Sequence, residues 1–390
     1  MLKERLHTVL VCAAFLTGFS GGVVAQEEIE PRLKSPAEQA WRYFLLANRT
    51  VENNELTWQT WTNQNCVANP GSCDNQKFST SHLQRANIST ELDDNGCTPM
   101  LTKANAGKLG KYIPANLSDQ PVYCEQVYIN DIEMKYLREL KLLTAQDQAQ
   151  FLGNGRIVDV TTGNFYTAGI EVKANWVPAS SYTNVEFDCT RGSDQIYLTE
   201  FDGVCHGLVG LHIIVKQSPK WLWASFEPQY PLTNPNRCNP GLYNPCFDSF
   251  GSVPATSTGD NTQRSLKLRA LFGFHGEAIP PAFRNYRLTG VQTDYDTPIY
   301  KDHPAQNWRL GNSFVELNAG VDPQQASCIT CHSYAARNID NCATSDVISD
   351  VGHPKPLAKD FRKLDFSWFL AFSVPGVPES DHPSCKKIKT

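Results

Sequence analysis

Two cysteines and a histidine near the C-terminal end of the 390-residue chain have the types and spacing of a cofactor attachment site. They lie in the run Cys328-Ile329-Thr330-Cys331-His332. Thiols three residues apart can bond both vinyl groups on one edge of a porphyrin, and the next residue can place its imidazole under the iron. The pattern predicts one covalent haem c. His332 is then the proximal iron ligand, and its other ring nitrogen donates to a backbone carbonyl.

Three other chemistries use a similar pair of cysteines. A thioredoxin-like redox pair follows a strand and starts a helix inside a βαβ unit, whereas here the polar turn 322–325 precedes the motif. A structural zinc site needs a fourth ligand and usually a second cysteine pair. An ordinary disulfide beside an incidental histidine is the third alternative. We favour haem attachment, because bacterial attachment takes place outside the cytoplasm and the chain begins with features of export.

The first 25 residues predict a signal peptide. Lys3 and Arg5 form a basic start, an apolar run follows over residues 8–19, and small residues end at Ala25. The run is too short to span a bilayer. We expect cleavage near Ala25, a periplasmic or secreted mature chain, and no integral membrane span in that chain.

The remaining cysteines predict a disulfide framework. Of 13 cysteines, one lies in the signal peptide and two in the motif, which leaves an even number for an oxidising compartment. Nearest-neighbour pairing closes the shortest loops. The predicted pairs are Cys66–Cys73, Cys97–Cys124, Cys189–Cys205, Cys238–Cys246 and Cys342–Cys385. Free buried thiols with fewer bridges are the alternative.

The sequence does not single out one residue as the sixth iron ligand. The three methionines all precede the motif, so a downstream methionine ligand is excluded. The histidines and methionines that remain for the distal side are His353, His212, Met134, His303, His382 and Met100. We retain His353, His212 and Met134 as distal candidates. The alternatives are that His353 is a surface-loop residue, that His212 is a hydrogen-bonded core histidine and that Met134 is a core methionine. An open, five-coordinate iron is also possible.

Hydrophobic periodicity predicts an α+β fold. Ser35-Pro36 starts a helix that continues to Asn48, and Asn130 starts a second helix to about Leu143. From 156 to 227 apolar residues alternate, and 208–215 is a nearly continuous apolar run typical of a strand buried on both faces. A terminal helix is predicted over 360–372.

Two domains follow from this pattern after the signal peptide at 1–25. Residues 26–300 form a disulfide-stapled, β-rich antiparallel, sandwich-like domain with N-terminal helices, and residues 301–390 form a small helical c-type haem domain. Hydrophobic residues make up 41% and charged residues 19%, as a packed core requires. The formal net charge of −5 gives no reason to expect nucleic-acid binding.

Several segments resemble a family of bacterial periplasmic mono-haem cytochrome c proteins over more than half of the chain. The segments that carry the resemblance are 171–176 (EVKANW), 207–213 (GLVGLHI), 221–227 (WLWASFE), 327–332 (SCITCH) and 365–370 (DFSWFL). The resemblance implies periplasmic location, haem c and electron transfer. It supplies neither a substrate nor the distal ligand.

The leading functional prediction is electron transfer by the haem, with a redox partner protein of unknown identity. The alternative is a haem-dependent periplasmic oxidoreductase, which oxidises a substrate or reduces peroxide, with the β-rich domain forming the substrate site. A haem-based sensor is a third class, and no output domain follows the motif. Whether the protein is an enzyme is left open by the sequence.

Overall fold

The computed structural model of the protein describes most of the chain between residues 35 and 372. The described ranges are 35–68, 98–99, 107–114, 116–118, 122–164, 166–229, 238, 245–257, 263–295, 309–312, 314–318, 321–338, 342, 344 and 351–372. The predicted signal peptide lies outside these ranges.

The described residues form short helices and a set of antiparallel strands. The helices are α1 (Pro36–Ala47), α2 (Gln64–Ala68), α3 (Asp131–Glu139), α4 (Ala145–Gly153), α5 (Leu266–His275), α6 (Val315–Asn318), α7 (Cys328–His332) and α8 (Trp368–Phe372). The strands are β1 (Thr62–Asn63), β2 (Thr98–Pro99), β3 (Val122–Ile129), β4 (Ile170–Pro178), β5 (Leu198–Phe201), β6 (Val204–Val215), β7 (Leu222–Pro228), β8 (Cys246–Phe247), β9 (Ser252–Val253), β10 (Thr256–Ser257), β11 (Gln263–Arg264), β12 (Tyr286–Gln292), β13 (Ala336–Arg337) and β14 (Arg362–Lys363).

The long strands belong to one eight-stranded antiparallel sheet. Its order is β1–β3–β4–β6–β7–β12, with β2 beside β3 and β5 beside β6. The apolar strand predicted over 208–215 is part of β6, which lies in the middle of the sheet. In the strand register, His212 of β6 lies between Lys173 of β4 and Ser225 of β7. Successive side chains of a strand point to opposite faces, so the sheet has two faces with different covers.

Helix α1 covers the first face of the sheet. Ser35 caps it by accepting a hydrogen bond from the Glu38 N–H at 3.2 Å, and Pro36 occupies the first turn, as predicted. The rings of Trp41 and Phe44 pack on Phe226 of β7, with centroid distances of 5.1 and 4.3 Å. This face is the main apolar core, and burial of its large rings contributes most to its stability.

The second face is unusual because it is polar and nevertheless buried. Ion pairs neutralise part of its charge, since Lys173 Nζ lies 3.0 Å from Glu125 and an Arg287 nitrogen lies 2.9 Å from Glu227. The segments around α6, α7 and α8 lie against this face and keep water from it. We call it the polar face, and its side chains are those of Glu125, Glu171, Lys173, Asn175, His212, Ser225, Glu227, Arg287 and Gln292.

The α+β class is confirmed, and the sheet differs from the sandwich-like arrangement that the sequence predicts. The remaining sheets among the described residues have two strands each, so the second layer of a sandwich is not found there. The polar face is covered by the C-terminal segment instead. In the part of the chain that the structure describes, no helix has the length and apolarity needed to cross a membrane.

The disulfides agree with the predicted pairing wherever both cysteines are described. Cys189–Cys205 and Cys238–Cys246 are bonded, with Cα–Cα distances of 5.6 and 5.0 Å. Cys124 and Cys342 are also disulfide-bonded. The predicted partners of the other three pairs, Cys73, Cys97 and Cys385, lie outside the described residues, so those pairings stay predictions.

The C-terminal helix is shorter than predicted. Its first residue is Trp368, and the strand β14 and a tight turn occupy most of the preceding residues. The turn contains Asp365 and Phe366, whose φ angles of 50° and 69° are left-handed and incompatible with a continuous α-helix. Apolar periodicity does not reveal such a turn, because neither residue is glycine.

Candidate functional site

The Cys-x-x-Cys-His motif forms the short helix α7 on the polar face. The Cys328 N–H donates to the Leu310 carbonyl at 3.2 Å, and the Ile329 N–H donates to Gln292 Oε1 of β12 at 3.2 Å. Thr330 donates from its hydroxyl to the Gly352 carbonyl at 2.6 Å. Cys328 is buried, whereas Cys331 is partly exposed. The helix is thus anchored by its buried first half, and its second half reaches the edge of the site.

His332 has the hydrogen bond that the sequence predicts for a metal-binding imidazole. Its Nδ1 lies 2.8 Å from the backbone carbonyl of Phe366. A carbonyl oxygen only accepts, so Nδ1 carries a proton, and when the ring is neutral its lone pair is on Nε2. The ring packs beside Trp223 at 4.6 Å and Trp368 at 6.4 Å between centroids. These contacts fix both the tautomer and the plane of the imidazole.

The Phe366 carbonyl is presented by a strained turn. Two consecutive non-glycine residues, Asp365 and Phe366, are left-handed, at a cost of order 1–3 kcal/mol each. Such a turn persists only where its surroundings hold it. Lys216 Nζ lies 2.7 Å from both Asp365 oxygens, and the Val160 N–H donates to Oδ2 at 2.7 Å. The next residue, Ser367, donates to Glu171 Oε1 at 2.7 Å.

The ion pair below this turn is buried. Lys216 is fully enclosed and Asp365 nearly so. Burial raises the pKa of Asp365 to about 6, although Lys216 lowers it. The cost of removing the carboxylate from water therefore exceeds the attraction of the ammonium group. Sequence reasoning missed both residues, and the one available indication was a lysine directly after an apolar strand.

His212 is the distal candidate that lies beside the motif. Its Nδ1 is 4.0 Å from Cys328 Sγ, and its Nε2 has no hydrogen-bond partner among the described residues. Burial, followed by the charges of Lys173 and His332, lowers the pKa of His212 to about 3. The ring is therefore neutral at ordinary pH, which is the form that binds metals.

Glu316 joins His212 and Cys328 in a compact cluster of potential ligands. One ligand atom from each residue lies within 4.8 Å of the others, and all three residues are buried. Burial raises the pKa of Glu316 to about 8, and burial with nearby Glu316 raises the pKa of the Cys328 thiol. The cluster combines sulfur, nitrogen and oxygen donors. Sequence reasoning missed Glu316, which lies on the short helix α6.

The surroundings of the other two distal candidates differ from those of His212. His353 is exposed in a loop, where its ring lies 5.2 Å from that of Tyr295. Met134 is buried in the core cluster that includes Trp368 and Leu370, and Cys331 of the motif packs against that cluster. The remaining histidines and methionine considered from the sequence (His303, His382 and Met100) lie outside the described residues.

Comparisons with known proteins give no match for this chain. No protein-family model matches it, and neither a curated protein nor a solved structure matches it. The chemistry of the site is therefore argued from the geometry around α7 and from the motif itself.

Proposed function

We propose that this protein is an exported c-type cytochrome that transfers electrons. One haem c is attached through thioether bonds to Cys328 and Cys331, and His332 is the proximal ligand of its iron. The observation that carries the proposal is the Nδ1 hydrogen bond of His332 to the Phe366 carbonyl at 2.8 Å, on a helix that begins with the two cysteines. That bond leaves Nε2 as the nitrogen with a lone pair for iron.

The residues of the chain have distinct roles in this proposal. Haem c supplies one-electron redox chemistry when it is bound. Phe366 orients the proximal imidazole, and Trp223 and Trp368 pack beside it. The potential is tuned by burial, hydrogen bonding and nearby charge, all of which the polar face supplies. The redox partner is a protein that exchanges electrons with this one.

We propose that His212 would be the second ligand that this chain gives to the haem iron. It is buried, burial lowers its pKa to about 3, its Nε2 is unpartnered among the described residues, and its Nδ1 lies 4.0 Å from Cys328 Sγ. An imidazole with these properties is available to a metal, whereas Met134 is packed in a core and His353 is solvent-exposed. A sixth ligand from the chain favours electron transfer over ligand binding at the iron.

Optical spectra with and without carbon monoxide test this assignment. Wild-type protein is expected to be low-spin and unresponsive to carbon monoxide, because His332 and His212 would both ligate the iron. His212→Ala is expected to become high-spin and to bind carbon monoxide, whereas His353→Ala is expected to match wild type. A wild-type protein that is high-spin and binds carbon monoxide would contradict His212 ligation. It would favour the enzyme alternative, a haem-dependent oxidoreductase.

A metal site without haem is the second candidate, and the cluster of His212, Glu316 and Cys328 favours it. Cysteine, histidine and carboxylate ligands suit zinc, and their ligand atoms lie within 4.8 Å of one another. A sulfur in a thioether bond to haem cannot also be a zinc thiolate, so the two candidates exclude each other. Zinc in stoichiometric amount with a colourless protein would support this candidate.

The export and domain assignments are part of the same proposal. Covalent haem attachment agrees with a signal peptide cleaved near Ala25 and with disulfides such as Cys189–Cys205. We propose a boundary near residue 300, with the motif in the segment that follows it. The described part of that segment lies against the polar face of the sheet, so the haem and the β-rich part are in contact in this proposal.

A further inference from the structure

A pair of glutamates lies next to the turn that orients His332. Glu133 of α3 and Glu171 of β4 are both buried, with exposed fractions of 0% and 5%. Glu171 accepts the hydrogen bond of Ser367, the residue that follows Phe366. Two adjacent residues thus contact the two sites: Phe366 accepts the hydrogen bond of His332, and Ser367 donates to Glu171.

The surroundings do not neutralise two negative charges on this pair. No hydrogen bond of normal geometry reaches either Glu133 oxygen from the described residues. Ser367 donates to Glu171 but has no charge. The charge of Lys216 acts on Glu133, but its ammonium group binds Asp365 and Asp159. Two unpaired buried carboxylates are highly unfavourable, so at least one of them has to hold a proton.

The pKa values of the two groups agree with this picture. Burial, followed by the charge of Glu171, raises the pKa of Glu133 well above its ordinary value. Burial raises the pKa of Glu171 as well, although the hydroxyl of Ser367 lowers it. Glu133 is thus the main proton carrier, and Glu171 is the member that is stabilised as a carboxylate.

Other titratable groups face the pair from each neighbouring element. Asp365 lies on the turn, Lys216 directly follows β6, and Asp159 precedes the residue whose N–H binds Asp365. Tyr136 lies one turn further along α3, and its hydroxyl accepts from the Asp159 N–H at 3.1 Å. The charge of Asp365 raises the pKa of both glutamates, while that of Lys216 lowers the pKa of Glu133.

We propose that Glu133 and Glu171 form a proton-binding site that is coupled to the haem iron. This inference rests on the proposed function. In the haem-loaded protein, an electron from the redox partner protein would lower the charge of the haem by one, and a proton from solvent would then bind the carboxyl pair. Oxidation releases both. The coupling is electrostatic, because charges in a buried environment interact more strongly than charges in water. The protein thereby carries an electron together with a proton.

The pH dependence of the midpoint potential tests the coupling. For one proton per electron the potential falls by up to about 59 mV for each tenfold drop in proton concentration. We expect wild-type protein to show such a fall within the range from about pH 5 to pH 9, where buried glutamates titrate. Glu133→Gln, which keeps the shape and removes the charge, is expected to flatten it. Glu139→Gln, an exposed position on the same helix, is expected to leave it unchanged.

Infrared spectroscopy tests the proton site independently of the iron. A protonated carboxylic acid in a dry environment absorbs at a different wavenumber from a carboxylate. We expect wild type to show this band at neutral pH, with Glu316 also contributing to it, and we expect the band to be weaker in Glu133→Gln. A haem-loaded Glu133→Gln protein with the wild-type pH slope overturns the coupling. A chain without covalent haem overturns both the proposed function and the coupling, and the infrared band then reports separately whether the pair holds a proton.

Discussion

Cys331→Ala protein is expected to carry at most one thioether bond, and less of its haem is expected to stay with the chain after denaturation than in wild type. Each thioether tethers one vinyl position of the porphyrin to the chain, so loss of Cys331 leaves only Cys328 for attachment. Cys331 is the partly exposed cysteine, and its replacement disturbs the core less than that of buried Cys328. The alkaline pyridine spectrum checks this result, because a free vinyl group moves its main band to longer wavelength.

Thr330→Ser is the matched control for this variant. The substitution lies between the two cysteines and keeps the hydroxyl that donates to the Gly352 carbonyl. Its spectrum and haem content are expected to match wild type. Full covalent loading of the Cys331→Ala protein, with a spectrum that indicates two thioethers, would contradict the attachment proposed here.

Lys216→Met protein is expected to lose about 3–5 kcal/mol of unfolding free energy, as is typical when one member of a buried ion pair is removed. In wild type, Lys216 Nζ contacts both carboxylate oxygens of Asp365. In the variant, Asp365 is buried with no cation at hydrogen-bond distance among the described residues. The left-handed turn at Asp365 and Phe366 loses its main anchor, so the Phe366 carbonyl no longer holds His332 in one orientation. Urea unfolding followed by tryptophan fluorescence measures the loss, and a heterogeneous iron spin state reports the second effect.

The destabilisation by Lys216→Met is expected to depend on pH. In wild type, burial raises the pKa of Asp365 to about 6, although Lys216 lowers it. Without that lysine, the pKa of Asp365 is expected to be higher still in the variant. A carboxyl group whose pKa is raised by folding favours the folded state when it is protonated. That stabilisation is complete at pH values below the pKa of Asp365 in the unfolded chain. It is lost as the pH rises through the pKa of Asp365 in the folded protein. The deficit relative to wild type should therefore be small in acid and grow towards neutral pH.

Lys135→Met provides the control for the ion pair. Lys135 is on α3, and its side chain is largely exposed at 3.9 Å from Glu139. An exposed pair of this kind contributes at most about 1 kcal/mol. Equal losses in Lys135→Met and Lys216→Met, or a deficit of Lys216→Met that is independent of pH, would mean that the buried pair does not anchor the turn.

Local rules predicted the helix starts and the central strand. Ser35 and Asn130 cap their helices through hydrogen bonds to the N–H groups of Glu38 and Glu133, three residues onward, as their types and positions indicated. The run 208–215 is buried throughout, as a continuous apolar pattern predicts. These features depend on contacts between residues close in sequence, which a single chain reveals.

The arrangement around the motif depends on residues far apart in the chain. Lys216 and Asp365 are separated by 149 positions, and His212 and Cys328 by 116. Alternation along a strand predicts that one face is polar, but not that a later segment covers that face and buries it. The left-handed turn at 365–366 is also invisible in sequence, because it is stabilised by the distant Lys216.

The motif itself was the strongest indication of chemistry in the sequence. Cysteine and histidine at this spacing specify a cofactor type, and the structure adds the Phe366 carbonyl as the partner of His332. It also adds Glu316 beside Cys328, which no pattern in the sequence singled out. The sequence thus predicts the cofactor of the motif, whereas the groups that surround it become visible only in the fold.

Mass spectrometry of the exported protein tests the central claim most directly. The account predicts that a peptide containing Cys328, Cys331 and His332 carries the mass of one haem after proteolysis and denaturation, and that the protein is red. A colourless protein whose motif peptide has its unmodified mass, or contains a disulfide between the two cysteines, would contradict the account. Zinc bound in that colourless protein would identify the cluster of His212, Glu316 and Cys328 as a metal site instead.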